Sequence, residues 1–269
     1  MIEGFAFKDV YGIDDLLQIM RGLRSEGGCP WDREQTHESI KKNLIEETYE
    51  VIEAINRQDR VLLCEELGDV LMQVVFHAQM EAEEGSFAFE DVVDGVCKKL
   101  IERHPHVFGE VEVGGSDEVL RNWDDIKKRS KGQKSQTETM QSVPRELPAL
   151  MRAAKVQKKA AKVGFDWPEI SGAVDKLYEE TAELSSAVES GSEDEMAEEL
   201  GDLLFSAVNV SRFIGCDAEE ALTAATDKFM RRFARVEEMA LERGLGLEQM
   251  SLAELDSLWD EAKHDLLSK

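Results

Sequence analysis

The sequence predicts an all-α protein built from two similar helical halves, on three observations. Apolar residues recur at spacings of three and four, as in Leu62, Leu63, Leu67, Val70, Leu71, Val74 and Val75, which is helical rather than strand periodicity. Ser192 with Glu195, Asp217 with Glu220, and Ser251 with Glu254 have the spacing of capping boxes and mark helix starts. Finally, Glu46, Glu47, Glu50, Glu66 and Asp69 recur as Glu179, Glu180, Glu183, Glu199 and Asp202, every pair 133 positions apart.

In chain order, the spacing predicts a first helix at 13–24 and a second at 33–57, which carries E-E-x-x-E between Leu44 and Val51. The third, 60–84, holds the apolar stripe and E-x-x-D, and the fourth, 88–103, stops before Pro105. A fifth spans 117–130. The second half repeats the plan at 147–163, 172–190, 193–214, 218–243 and 252–267, the last three opening at the capping residues Ser192, Asp217 and Ser251. Between the halves, Lys131 to Thr139 is polar and nearly free of large apolar residues, with Pro144 and Pro148 beyond it. The expected organisation is a domain at 1–130, a linker at 131–145 and a domain at 146–269.

At 269 residues and 42% hydrophobic content, each half can bury a core without crosslinks. Cys29, Cys64, Cys97 and Cys216 form no C-x-x-C pair and suit a reducing cytoplasm. The amino terminus lacks a basic region followed by an apolar core, so neither secretion nor a membrane span is expected. A net charge of -25 repels phosphate backbones and argues against duplex nucleic acid as a partner.

Much of that acidity belongs on solvated helix faces, but the repeated acids are different. Residues three apart on a helix share a face, so Glu47 with Glu50 and Glu66 with Asp69 each present two carboxylates together. Their neighbours are apolar: Leu62, Val70, Met72 and Phe76 in the first half, and Leu177, Leu184, Met196, Leu203 and Phe205 around Glu180, Glu199 and Asp202 in the second. These acids are expected to point inward, where mutual repulsion and lost hydration call for a compensating cation. All-oxygen ligation favours magnesium, manganese or calcium, and magnesium keeps water positions open for a phosphate substrate. No histidine stands three residues after any of these acids, as a di-iron bundle would require.

E-E-x-x-E, then E-x-x-D, a later Lys-x-x-x-Arg and a final Trp resemble the MazG nucleotide pyrophosphohydrolases. Gly28-Cys29-Pro30-Trp31-Asp32, Gln35-Thr36-His37, Arg103 to Gly109 and Lys228 to Phe233 are similar to the two-domain bacterial form. The resemblance covers nearly the whole chain. It implies an all-α fold with tandem domains, of four-helix-bundle type on pairing and usually a homodimer. It also implies magnesium-dependent cleavage of nucleoside triphosphates to monophosphate and pyrophosphate, as in nucleotide-pool house-cleaning.

The residue chemistry supplies roles for that activity. Glu180, Glu183, Glu199 and Asp202, and in the first half Glu47, Glu50, Glu66 and Asp69, are the expected ligands of magnesium, with manganese as a substitute. Glu179 or Glu198 would orient the attacking water or accept its proton. Lys176, Lys228 and Arg232 would offset phosphate charge, Trp259 offers a stacking surface, and Lys263 could reach a phosphate. Lys99, Arg103, Trp123 and Lys127 are their first-half counterparts. The second half is expected to be the catalytic one, because Lys176 is matched by Asn43 and the segments after Arg232 and Arg103 diverge.

Blander assignments compete. Trp259 could equally be a core anchor, Arg231 and Lys98 are expected to be solvated, and His77 to be packed and hydrogen-bonded. His104 and His106 flank Pro105 and should shape a turn, while His37 and His264 carry no evident role. The alternative functional class is a non-catalytic sensor or scaffold that binds magnesium and nucleotide without turnover.

Overall fold

The structure, a computed structural model, describes residues 5–116, 118–119, 122–123, 126–127 and 132–267, with side chains as far as 265. Among the described residues every regular element is a helix. The chain divides into two compact units, Met1–Lys127 and Lys128–Lys269.

The first unit contains α1 (Ile13–Arg24), α2 (Pro30–Glu34), α3 (His37–Arg57), α4 (Arg60–Glu83), α5 (Phe89–Arg103) and α6 (Pro105–Phe108). Residues 116, 118–119, 122–123 and 126–127 are also helical. The remainder of the helix expected at 117–130 lies outside the described residues. The helix expected at 33–57 is two helices. Ser39 N donates to Thr36 Oγ1 at 3.2 Å while Thr36 N donates to Ser39 Oγ at 2.9 Å, a reciprocal cap that starts α3 afresh. Pro30 opens α2 at its first position, where a missing N–H costs nothing. Pro105 does the same for α6, so the expected turn is a single helical turn.

The antiparallel pair α3 and α4 forms the spine of this unit, with α1 and α5 packed on α4. Met20, Ile40, Val75, Phe76 and Met80 are its buried core, surrounded by Leu16, Leu17, Met72 and Phe89. Each fully buried side chain of this size is worth about 1.5–3 kcal/mol. Arg24 fastens α1 to the end of α4, with Nε and Nη2 donating to the Glu83 carboxylate at 2.9 and 2.8 Å and its guanidinium 5.3 Å above Phe76.

The second unit contains α7 (Gln136–Gln141), α8 (Ala149–Ala161), α9 (Ile170–Ser190), α10 (Glu193–Phe213), α11 (Ala218–Glu242), a 3-10 turn at Leu247–Gln249 and α12 (Leu252–Leu267). The pair α9 and α10 repeats α3 and α4. Helix α8 rests on α10 and α11, and α12 rests on α11. Val236, Met239, Ala240, Leu258 and Ala262 are buried between α11 and α12, with Trp259 packed against them. Helix α7 falls in the stretch read as linker. Ser135 caps it by accepting from Glu138 N at 3.1 Å, and Gln136 Nε2 donates to Lys159 O on α8 at 2.5 Å.

The two hairpins turn in the same way with different residues. Gln58, after α3, has φ 56 and Gly191, its counterpart after α9, has φ 75. That left-handed conformation is free for glycine and costly for glutamine. Asp59 and Ser192 then cap α4 and α10 by accepting from backbone N–H groups. No helix among the described residues is long and apolar enough to cross a membrane.

Candidate functional site

Pairing α3 with α4 brings Glu47 against Glu66 and Asp69, and pairing α9 with α10 brings Glu180 against Glu199 and Asp202. In each group one carboxylate oxygen per residue lies within 4.8 Å of the others. Two acids come from one helix and one from its antiparallel neighbour, so the hairpin itself assembles the cluster. Glu66 is 8% exposed and Glu180 4%, as the apolar neighbours predicted. The inward expectation fails for Glu50, Glu183 and Asp202, which are exposed in the single chain.

The electrostatics are those of crowded acids. Burial raises the pKa of Glu47, and the charges of Asp69 and Glu50 raise it further. Burial followed by Glu50, Glu65, Asp69 and Glu47 raises Glu66. In the second unit burial raises Glu199, with Glu183, Glu180, Asp202 and Glu198 adding to it. Glu183 rises through burial and its hydrogen bond and charge interaction with Glu180. Glu50 and Glu183 therefore stand beside their clusters as fourth carboxylates, although neither belongs to the triplet of mutually close oxygens.

The units differ in what answers this charge. Lys176 Nζ lies 2.7 Å from Glu179 Oε1 and 2.6 Å from Glu180 Oε1, and these bonds push the lysine pKa upward. The first unit has Asn43 at the equivalent position. There the hydrogen bond from the buried Gln73 to Glu47 acts against the rise, where the second unit has the buried Ser206. A buried amide that faces an acid is invisible to charge-based motif reading, so Gln73 was missed.

The expected phosphate and stacking residues pair up in both units. The Arg232 guanidinium lies 5.9 Å from the Trp259 ring, and Arg103 lies 5.5 Å from Trp123, which Lys127 also approaches at 5.5 Å. Phe229 meets Trp259 at 5.0 Å, so in the single chain this indole is both a core element and a support for Arg232. Lys228 and Lys99 are exposed, and Lys263 is paired with Asp260 at 2.7 Å. Among the described residues, Lys263 pairs with Asp260 rather than with a clustered acid. Glu179 and Glu198 are exposed beside Glu180 and Glu199.

His37 has partners that sequence reading did not foresee. Its Nδ1 lies 2.7 Å from His77 Nδ1, and its Nε2 lies 2.9 Å from Glu81 Oε1, with the two rings stacked at 5.0 Å. His77 is packed and hydrogen-bonded as expected. The pair ties the start of α3 to the far end of α4, a contact across 40 residues that no local pattern signals.

Comparison with known proteins extends over both clusters. The model of the MazG nucleotide pyrophosphohydrolase domain matches residues 35–108 and 171–236, which contain the six clustered acids together with Glu50 and Glu183. The nucleoside triphosphate pyrophosphohydrolase of Escherichia coli K12 is 47% identical over 254 residues, 93% of this chain and 97% of that protein. The nucleoside triphosphate pyrophosphohydrolase/pyrophosphatase MazG of Thermotoga maritima is 48% identical over 250 residues, 93% and 95% of the two chains. The protein YabN of Bacillus subtilis, described as uncharacterized, is 52% identical over 246 residues, 91% of this chain and 50% of that one.

Proposed function

Since this chain belongs to the MazG nucleotide pyrophosphohydrolase family, we propose that it hydrolyses nucleoside triphosphates to nucleoside monophosphate and pyrophosphate, chiefly in its second unit, as part of nucleotide-pool house-cleaning. The observation that carries this reading is the pair of carboxylate clusters, each assembled by a helix hairpin and each holding acids whose pKa is raised.

The family implies a divalent metal cofactor, and the clusters fit one: their donors are all oxygen, and their crowding is what a cation relieves. Glu180, Glu183, Glu199 and Asp202 would hold magnesium in the second unit, and Glu47, Glu50, Glu66 and Asp69 in the first, with manganese as a substitute. Bound there, the metal supplies charge neutralisation for phosphate oxygens and acidifies water. Water attacks the α-phosphorus, the bond to the bridging oxygen breaks, and pyrophosphate leaves with the electron pair. Glu179 or Glu198 takes the proton from the water. Lys176, next to Glu180, turns toward phosphate once the acids are otherwise neutralised, and Lys228, Arg232 and Lys263 offset the charge of the leaving pyrophosphate. Trp259 holds the Arg232 guanidinium in place. Lys99, Arg103, Trp123 and Lys127 do the corresponding work around the first cluster.

A homodimer completes this reading. Leu67 and Leu71 on α4, and Leu200 and Leu204 on α10, are exposed beside the acids, so pairing of hairpins into a four-helix bundle would cover them. The four free cysteines suit a reducing cytoplasm.

The test is product analysis with a panel of nucleoside triphosphates and magnesium, repeated with Glu47→Ala, Glu180→Ala and the double change. Pyrophosphate release lost with Glu180→Ala and retained with Glu47→Ala is the expected result. No turnover by the unmodified protein overturns the enzyme reading in favour of a sensor, and release of orthophosphate moves the attack to the terminal phosphorus.

A further inference from the structure

The open end of the first hairpin carries three titratable side chains where the second hairpin carries aliphatic ones. His37 is the first residue of α3, and His77 and Glu81 lie four apart near the end of α4. Their counterparts 133 residues later are Ile170, the first residue of α9, and Val210 and Ile214 around the end of α10. The register is the same in both copies, because Arg60 and Glu193, which open α4 and α10, are also 133 apart. The hairpin fold is therefore satisfied by aliphatic residues at these positions, and the histidines call for another reason.

The contacts fix where the hydrogens sit. An ionised Glu81 only accepts, so His37 Nε2, 2.9 Å from Glu81 Oε1, carries a hydrogen. In a neutral His37 the Nδ1 then carries none and accepts. The hydrogen in the 2.7 Å contact between the two Nδ1 atoms consequently belongs to His77. That leaves His77 Nε2 without a hydrogen, and this nitrogen is buried and has no partner.

A further proton has no good place. On His77 Nε2 it makes an imidazolium whose buried N–H meets nothing. On His37 Nδ1 it sets two N–H groups against each other and puts a positive charge on the first residue of a helix, where the macrodipole opposes it. Glu81 offsets a charge on His37 only if His77 first moves its own hydrogen to the buried Nε2. Burial and the neighbouring His37 accordingly hold His77 below its ordinary range. Charged side chains of the elements packed around α4 turn to other partners: Lys41 of α3 to Glu38, Arg24 of α1 to Glu83, and on α5 Asp91 to Ala88 N and Asp94 to Lys98.

We infer that His37, His77 and Glu81 form an acid-release latch, which pins the start of α3 to the far end of α4 while both rings are neutral and frees the first turns of α3 when a ring is protonated. The second hairpin, with Ile170, Val210 and Ile214, lacks these groups, so acid loosens one of the two carboxylate hairpins and spares the other.

Hydrogen exchange read by mass spectrometry tests this, expressed as protection factors so that the intrinsic pH dependence cancels. Residues 37–48 are compared with 170–181 at about pH 7.5 and about pH 5.5. Between 6.5 and the lowered His77 value, opening of α3 rises about tenfold per pH unit, so protection of 37–48 should fall with acid while that of 170–181 stays level. The triple change His37→Ile, His77→Val and Glu81→Ile, which installs the second unit's residues, should abolish the fall, as should His77→Gln, which keeps a hydrogen-bonding side chain without a titration. An equal response of both segments, or a fall that persists in the variants, overturns the inference. Ring-nitrogen magnetic resonance of the unmodified protein, with His77 identified by difference against His77→Gln, needs no variant fold to match. A hydrogen on Nδ1 and none on Nε2 above pH 6.5 is expected, and a hydrogen on Nε2 overturns the latch.

Discussion

Replacing Gly172 by alanine sets two effects of known size against each other. Alanine in a helix is favoured over glycine by up to about 1 kcal/mol, so on secondary structure alone Gly172→Ala stabilises α9. The added Cβ, however, would lie 2.8, 2.9 and 3.2 Å from Cε3, Cδ2 and Cγ of Trp167. Ordinary carbon contacts need about 3.5–4.0 Å, so the ring must shift by roughly 1 Å. Two of the three atoms belong to the root of the indole, which cannot swing away without moving the loop that carries it. Overpacking of this kind costs about 1–3 kcal/mol, and the exposure of Trp167 places the cost at the low end. The expected net result is a change between zero and about 2 kcal/mol of destabilisation in urea unfolding followed by circular dichroism. The Trp167 contribution to fluorescence, isolated by difference against Trp167→Phe, shifts to the red. Stabilisation by the full helix increment with unchanged fluorescence would refute the contact between Trp167 and α9.

Gln58→Gly removes a left-handed glutamine and should stabilise the protein by about 1 kcal/mol, while Gly191→Gln should cost about as much; urea midpoints measure both. Glu47, Glu66, Glu183 and Glu199 have pKa values raised above 4.5, so in metal-free protein their contribution to stability is complete below pH 4.5 and is lost as pH rises through the folded values. Stability measured against pH should therefore show a smaller loss for Glu199→Gln than for the unmodified protein, and a divalent metal should abolish the difference. His77 is held below 6.5 by burial and then by His37, so its contribution is present above pH 6.5 and lost as pH falls through the lowered value; His77→Gln should flatten that limb of the melting profile. Size-exclusion chromatography with light scattering should give twice the chain mass, and Leu200→Lys with Leu204→Lys should shift it toward one.

Helix content, the hairpin pairs and the carboxylate triplets were legible because they rest on spacing within one or two helices. Glu47, Glu66 and Asp69 converge wherever α3 packs on α4 through its apolar face, so periodicity implied the cluster. The break at Thr36 was hidden because serine, not glutamate, closes its cap. Helix α7 was hidden because its six residues are polar and are held by capping and by α8 rather than by an apolar stripe of their own. The cavity of the second unit could not be read from local pattern at all. That space, between α7, α8, the loop after α8 and α10, depends on how those four pieces pack together.

Lys176 gives the second cluster a built-in counter-ion. A cation bound there would enter an exchange: the ammonium group would release Glu180 and would then be free beside the acids. Metal and phosphate binding would thereby be wired in series, because the step that loads one would free the group that attracts the other. The first cluster, with Asn43 in that place, has no such relay, so its metal affinity should respond only weakly to added nucleotide.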